Sequence, residues 1–302
     1  MRVGKRLRHA LTVALIRTLK TVLNLLPRSL ALFVGSVAGL GAWACLSRDR
    51  YRIHRHLTLA YGEKLSTSQK RLLGRRFFVN SGMNLVDVLR LERHFARELK
   101  PRIEVIGLDY FEQAHRRGKG ILGVTAHLGN FELMAAYVAR LGYKTAVIGR
   151  QLYEPRLDEL LVANRQALGL ANFATTDSPR KLIHWLQEGN VVGVLIDFDS
   201  ISVRSTFVPA FGRMALTPVG QSLIGLHTGA ALVPAACVRL PQNRYRMIFR
   251  PEVRIETSGD LERDARELTA RCTAELEKLI LAYPDQWIWL KNRWLTPTSY
   301  EP

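Results

Sequence analysis

Cysteine is scarce in this chain: Cys45, Cys237 and Cys272 are scattered through 302 residues with neither metal-ligand nor disulfide spacing. That pattern excludes a disulfide framework and a zinc module, and fits a reducing compartment or plain core packing. A P-loop, a Gly-x-Gly-x-x-Gly fingerprint and internal repeats are also missing, which removes the common nucleotide-binding loops and the solenoids. Acidic residues are few as well. Against 44 Lys and Arg stand 26 Asp and Glu, a net charge of +18 with a pI near 10.4. Such a field asks for an acidic partner: anionic lipid, nucleic acid or an acidic carrier protein. No helix-turn-helix, RNA-recognition or basic-aromatic repeat accompanies the charge, so nucleic acid is not the expected partner. Arg outnumbers Lys by 34 to 10, which favours forked contacts to phosphate. A hydrophobic content of 47% rules out general disorder, and the length suffices for one large α/β domain plus an appendage.

Charge vanishes altogether from residues 29–46, SLALFVGSVAGLGAWACL. Eighteen residues come close to the ~20 that span a bilayer core as a helix. An apolar-basic segment over 9–28 precedes it, and Arg48, Arg50, Arg52 and Arg55 follow it. With positive charge on both flanks, a monotopic or re-entrant helical hairpin suits the segment best. A hairpin buried against the main body and a cleaved secretory signal are the competing readings. The expected division is therefore residues 1–50 as membrane-associated helices and 51–302 as the main domain.

Residues 51–100 read as helical, up to Pro101. Strand-like runs then alternate with helical ones: strands over 102–106, 120–126, 144–148, 172–175, 191–196, 231–238 and 245–249, and helices over 108–116, 131–141, 154–168, 178–187, 216–228 and 261–282. Alternation of this kind predicts a single α/β domain with a mainly parallel central sheet flanked by helices. Ligands of such sheets bind beyond the carboxyl ends of the strands, where His127, Arg150 and Asp197 all fall.

The stretch from Thr125 to Glu132, TAHLGNFE, follows the apolar run Ile121–Val124. Within one helix, His127 and Glu132 would point about 140° apart at roughly 100° per residue. They come together if the strand ends at His127, the chain turns through Gly129 and Asn130, and a helix begins with Asn130 as cap and Glu132 in its first turn. The carboxylate would then fix the imidazole tautomer and make His127 a general base for a hydroxyl. The competing reading is a surface histidine or one satisfied in the core. No Ser or Cys nucleophile stands beside His127, which favours direct transfer over a covalent intermediate. Backbone N–H groups of Gly129 and Asn130 are the candidate oxyanion donors. Arg150 and Arg204 are candidates for phosphate or for an acidic carrier, with solvated surface charge as the alternative. Asp197 either orients Arg150 or the histidine, or caps its own loop. No metal or cofactor is called for.

The ordered series His127-x-x-x-x-Glu132, Ile148-Gly149-Arg150, Val194-Leu195-Ile196-Asp197, Phe207-Val208-Pro209-Ala210-Phe211-Gly212, Val233-Pro234 and Pro284-Asp285-Gln286-Trp287-x-Trp289-Leu290-x-x-Arg293-Trp294 resembles the late lipid A acyltransferases, from about residue 8 to 298. The resemblance implies a glycerolipid-acyltransferase-like fold and an enzyme at the cytoplasmic face of the inner membrane. It further implies acyl transfer from acyl carrier protein to a hydroxyl of a lipid A precursor, with His127 and Glu132 as the base dyad. A glycerophospholipid, an aminolipid or a mannosylated phosphoinositide is the alternative acceptor. Phe198 departs from the polar residue expected after Asp197 and leaves the role of Asp199 open. Trp287, Trp289 and Trp294 suit either a membrane-interface or acyl-pocket lip, or the core.

Overall fold

The computed structural model describes residues 2–149, 151 and 154–300. Four helices open the chain: α1 (Arg2–Leu25), α2 (Arg28–Cys45), α3 (Ser47–Tyr61) and α4 (Thr67–His94). Pro27, which has no N–H to donate, separates α1 from α2. Gly62 at φ 56° ends α3, and a capping box of Ser66 with Gln69 starts α4. The continuous helical reading of 51–100 is thus split by a turn.

Alternation follows: β1 (Ile103–Ile106), α5 (Leu108–Arg116), β2 (Ile121–Thr125), α6 (Phe131–Arg140), β3 (Thr145–Gly149), α7 (Pro155–Ala167), β4 (Leu170–Ala174), α8 (Pro179–Gln187) and β5 (Val191–Leu195). The hairpin β6 (Ser205–Ala210) and β7 (Arg213–Pro218) comes next, then α9 (Gly220–Thr228), β8 (Ala231–Leu240), β9 (Arg244–Phe249) and α10 (Leu261–Ala282). The main sheet runs β1-β9-β8-β2-β5-β3-β4. Strands β8, β2, β5, β3 and β4 are mutually parallel, β9 is antiparallel to β8, and β1 lies parallel to β9. The α/β class with a mainly parallel sheet is as expected. Ile121, Leu122 and Val124 of central β2 are wholly buried because helices cover both faces of the sheet.

One expected helix is corrected. Residues 216–228 divide into the end of β7 and α9. Phe211 (φ 51°) and Gly212 (φ 70°) form a two-residue turn that pairs Ala210 with Arg213, and φ above zero at both positions suits a tight hairpin.

The N-terminal helices dock on α4 by close glycine packing. A Cβ on Gly82 would lie 2.1 Å from the Gly35 carbonyl oxygen, and one on Gly39 2.3 Å from that of Phe78. The outward face stays apolar, with Leu15, Leu19, Val22, Leu25, Leu30, Phe33, Val34 and Val37 exposed. α2 is long and apolar enough to cross a membrane, and only 22% of it is buried. Docking is completed by a buried polar cluster. Arg28 gives Asp87 two hydrogen bonds (3.0 and 2.9 Å), and Asp87 also accepts from Arg239 (2.8 Å) and the Tyr245 hydroxyl (2.7 Å). Burial alone would raise the Asp87 pKa, but the Arg239 and Arg28 cations outweigh it and hold the carboxyl ionised, below its ordinary range. Asp87→Ala would leave two guanidinium groups without their counter-charge. The expected loss is about 3–5 kcal/mol, measured by denaturant unfolding in detergent against the wild type.

Candidate active site

Strands β2 and β5 are neighbours in register, with Thr125 opposite Leu195. Each continues by two residues beyond its end, to His127 and Asp197. Two side chains 70 positions apart therefore meet at the carboxyl edge of the sheet. The Asp197 carboxylate takes the His127 ring Nδ1 at 2.7 Å through one oxygen, and the His127 backbone N–H at 2.8 Å through the other. The Trp287 indole N–H donates to it as well, at 2.7 Å. Burial on its own would raise the Asp197 pKa. The His127 ring, the indole and the amide oppose that and hold it at about 2. A carboxylate so held fixes the proton of neutral His127 on Nδ1 and leaves Nε2 as the basic nitrogen.

The hydrogen bond expected between His127 and Glu132 is not made in this geometry. Both His127 ring nitrogens are engaged elsewhere, Nδ1 by Asp197 and Nε2 by Lys291 Nζ at 2.9 Å. Glu132 stands in the first turn of α6, as expected, but turns to α7, where Arg165 Nε and Nη2 grip its two oxygens, the former at 3.1 Å. Arg165 also donates to Asn172 on β4 and packs behind the end of β3, where a Cβ on Gly149 would come within 2.9 Å of it. Glu132 thus joins α6 to α7 and β4 beside the histidine, through an arginine for which the chain order offered no hint.

Asn130, which the site was expected to use for substrate, has a structural place. It is the helix cap that the sequence suggested: its side-chain oxygen accepts the Leu133 N–H at 3.0 Å, its amide reaches the Tyr245 hydroxyl, and it is buried. The expected oxyanion donors are spent in the same loop. The Gly129 N–H bonds the Gln286 carbonyl (3.0 Å), and the Asn130 N–H bonds that of Cys237 (2.7 Å). Arg204 reaches Glu262 at the start of α10 in an exposed ion pair. Arg150 lies outside the described residues.

A strap of residues 283–296, which the sequence placed at a lip or in the core, holds the histidine loop. The Ile288 N–H bonds the His127 carbonyl (3.1 Å), and the Gln286 side chain pairs with both N–H and C=O of Arg239. Trp287 and Trp289 are buried and pack edge to face, so they are core residues. Asp199 finds its role here, accepting from the Leu295 and Thr296 amides and the Thr296 hydroxyl. The loop itself depends on Gly129, at φ 62°, where a Cβ would sit 2.0 Å from the Cys237 oxygen. Gly129→Ala is therefore expected to cost about 2–4 kcal/mol and most of the activity, read as a lowered unfolding midpoint together with a lowered kcat.

A buried carboxylate behind a histidine whose second nitrogen faces outward is equipment for taking a proton from a hydroxyl. The known proteins that this chain resembles perform acyl transfer. The family model described as bacterial lipid A biosynthesis acyltransferase matches residues 4–296. The lipid A biosynthesis lauroyltransferase of Escherichia coli K12 is 30% identical over 266 residues, covering 85% of this chain and 83% of that protein. The lipid A biosynthesis palmitoleoyltransferase of the same organism is 22% identical across 90% of this chain and 87% of its own length. A phosphatidylinositol mannoside acyltransferase of Mycolicibacterium smegmatis is 24% identical across 67% of this chain and 66% of its own. The chain is an acyltransferase and belongs to the bacterial lipid A biosynthesis acyltransferase family.

Proposed function

We propose that the enzyme moves a fatty acyl chain from the thioester of acyl carrier protein to a hydroxyl of a lipid A precursor, at the cytoplasmic face of the inner membrane. His127 Nε2 takes the hydroxyl proton. Asp197 holds the ring through Nδ1 and stabilises the imidazolium that forms. Glu132 acts through Arg165, keeping α6 and α7 in place beside the base. No covalent acyl-enzyme is needed, because the attacking oxygen belongs to the acceptor. The observation that carries the reading is the Asp197-His127 pair at the sheet edge, in a chain matched by the family over nearly its whole length.

The exposed apolar face of α1 and α2 suits residence in lipid, with the main domain resting on it. Lys20 of α1 bonds Glu92 on α4 (2.8 Å) and Asn164 on α7 (3.4 Å), so the foot touches the helix that carries Arg165. A lipid acceptor in that membrane would have a short path to His127. A second reading keeps the chemistry and changes the acceptor to a mannosylated phosphoinositide, which the resemblance to the mannoside acyltransferase favours. Mass spectrometry of membrane lipids before and after deletion of the gene decides between them. Lipid A lacking one acyl chain, restored by the wild-type gene and not by His127→Ala, is the expected result. An unchanged lipid A with a missing acyl chain on another lipid would replace it with the second reading.

A further inference from the structure

Hydroxyl attack on an acyl thioester needs two things at once: a base for the proton and a positive group for the carbonyl oxygen. The base is in place, but the amides of Gly129 and Asn130 are bonded to Gln286 and Cys237 carbonyls. The cation that the described residues bring to the reacting side of His127 is Lys291. Its ammonium lies 2.9 Å from Nε2, the nitrogen that Asp197 leaves basic. The position is built rather than incidental. Lys291 lies within the strap, its N–H bonds the Ile288 carbonyl, and the Ile288 N–H in turn bonds the His127 carbonyl. The Nζ sits 5.8 Å from the centre of the Phe198 ring. Burial pulls the Lys291 pKa below its ordinary value, against the raising effect of the Asp197 charge. A partly desolvated ammonium interacts more strongly with a new negative charge than a hydrated one does.

A hydroxyl that reaches Nε2 must displace this ammonium. The hydroxyl oxygen would then lie about 3 Å from Nε2. A carbonyl carbon bonding to it places the developing oxyanion within reach of the displaced Nζ. Protonation of His127 adds to the exchange, since imidazolium and ammonium repel.

We propose that Lys291 is a catalytic residue that stabilises the oxyanion of acyl transfer, trading its hydrogen bond to His127 Nε2 for one to the substrate carbonyl oxygen. The proton passes from the hydroxyl to Nε2 as the new O–C bond forms, and the carbonyl π pair moves onto oxygen beside the ammonium. Collapse then breaks the C–S bond, and the leaving thiolate takes the proton back from His127. The inference rests on the acyl-transfer reading and deepens it.

The test uses full-length enzyme in detergent, acyl-loaded acyl carrier protein and a lipid A precursor. Lys291→Met should lower kcat about 10²–10³-fold, with KM for either substrate nearly unchanged and an unfolding midpoint close to wild type. Lys291→Arg should recover part of kcat, since it restores a cationic donor. Unchanged kcat would overturn the proposal, as would a faster Lys291→Met enzyme, in which the lysine only blocks the base. A rise in KM with kcat preserved would also overturn it, placing Lys291 on a substrate phosphate. Hydrolysis of the same thioester by water is measured in parallel. If wild type hydrolyses in a His127-dependent way but transfers to no lipid A precursor, the acceptor reading fails, while Lys291 is still judged by its effect on hydrolysis.

Discussion

Alanine at His127 should reduce acyl transfer about 10²–10⁴-fold, the span that a positioned general base contributes. The loss should fall on kcat, because the imidazole accepts its proton only as the new bond forms. Folding should lose about 1–3 kcal/mol, because a buried carboxylate gives up one of its hydrogen-bond partners. Asp197 keeps the Trp287 indole and the amide of residue 127, so its carboxylate is not left without partners. A stopped-flow or steady-state assay with purified variant, alongside a thermal unfolding curve, separates the two effects. Wild-type kcat in this variant would remove the histidine from the chemistry and the proposed mechanism with it.

Asp197→Asn should be nearly as damaging, about 10³–10⁴-fold in kcat, although it changes no more than one atom in the side chain. An amide nitrogen facing Nδ1 donates where the carboxylate accepted. The ring then carries its proton on Nε2 and has no lone pair left for the hydroxyl. The change also gives up the charge that stabilises the imidazolium. A fall in kcat with the substrate KM preserved is the expected signature, and equal activity would mean that the Asp197 contact is structural only. The pH behaviour follows from the depressed Asp197 pKa, about 2 against an ordinary 3.8. The stabilisation from this carboxylate is complete above about pH 4 and is lost as pH falls from there through about 2. Its size is about 2 kcal/mol, from the size of that shift.

Much of this was legible in the residue order. Apolar runs such as Ile121–Val124 and Val191–Leu195 announced buried parallel strands, because a strand covered on both faces has no polar alternation to preserve. Pro27 ended one helix, Asn130 began another, and an uncharged run over 29–46 became a helix with an exposed apolar face. These are local facts: each depends on a few neighbouring residues and the geometry of the chain between them. His127 was legible too, as a titratable group left at a strand end.

Its partner was legible only as one of several choices, Glu132 first and Asp197 among the alternatives. Glu132 is five residues away along the chain, and proximity in sequence made it the natural choice, but the first turn of α6 aims it at Arg165. Asp197 is 70 residues away and meets the ring only because β2 and β5 lie side by side in register. The same holds for the Gly129 and Asn130 amides, which are spent on carbonyls from the strap and from β8, and for Lys291, delivered to Nε2 by a strap more than 150 residues downstream. Periodicity and capping are set by short-range sterics and hydrogen bonds, so the sequence by itself determined the elements and the strand end that bears the base. Which groups satisfy that base is set by strand order and by backbone hydrogen bonds between distant segments, and only the tertiary structure decided it.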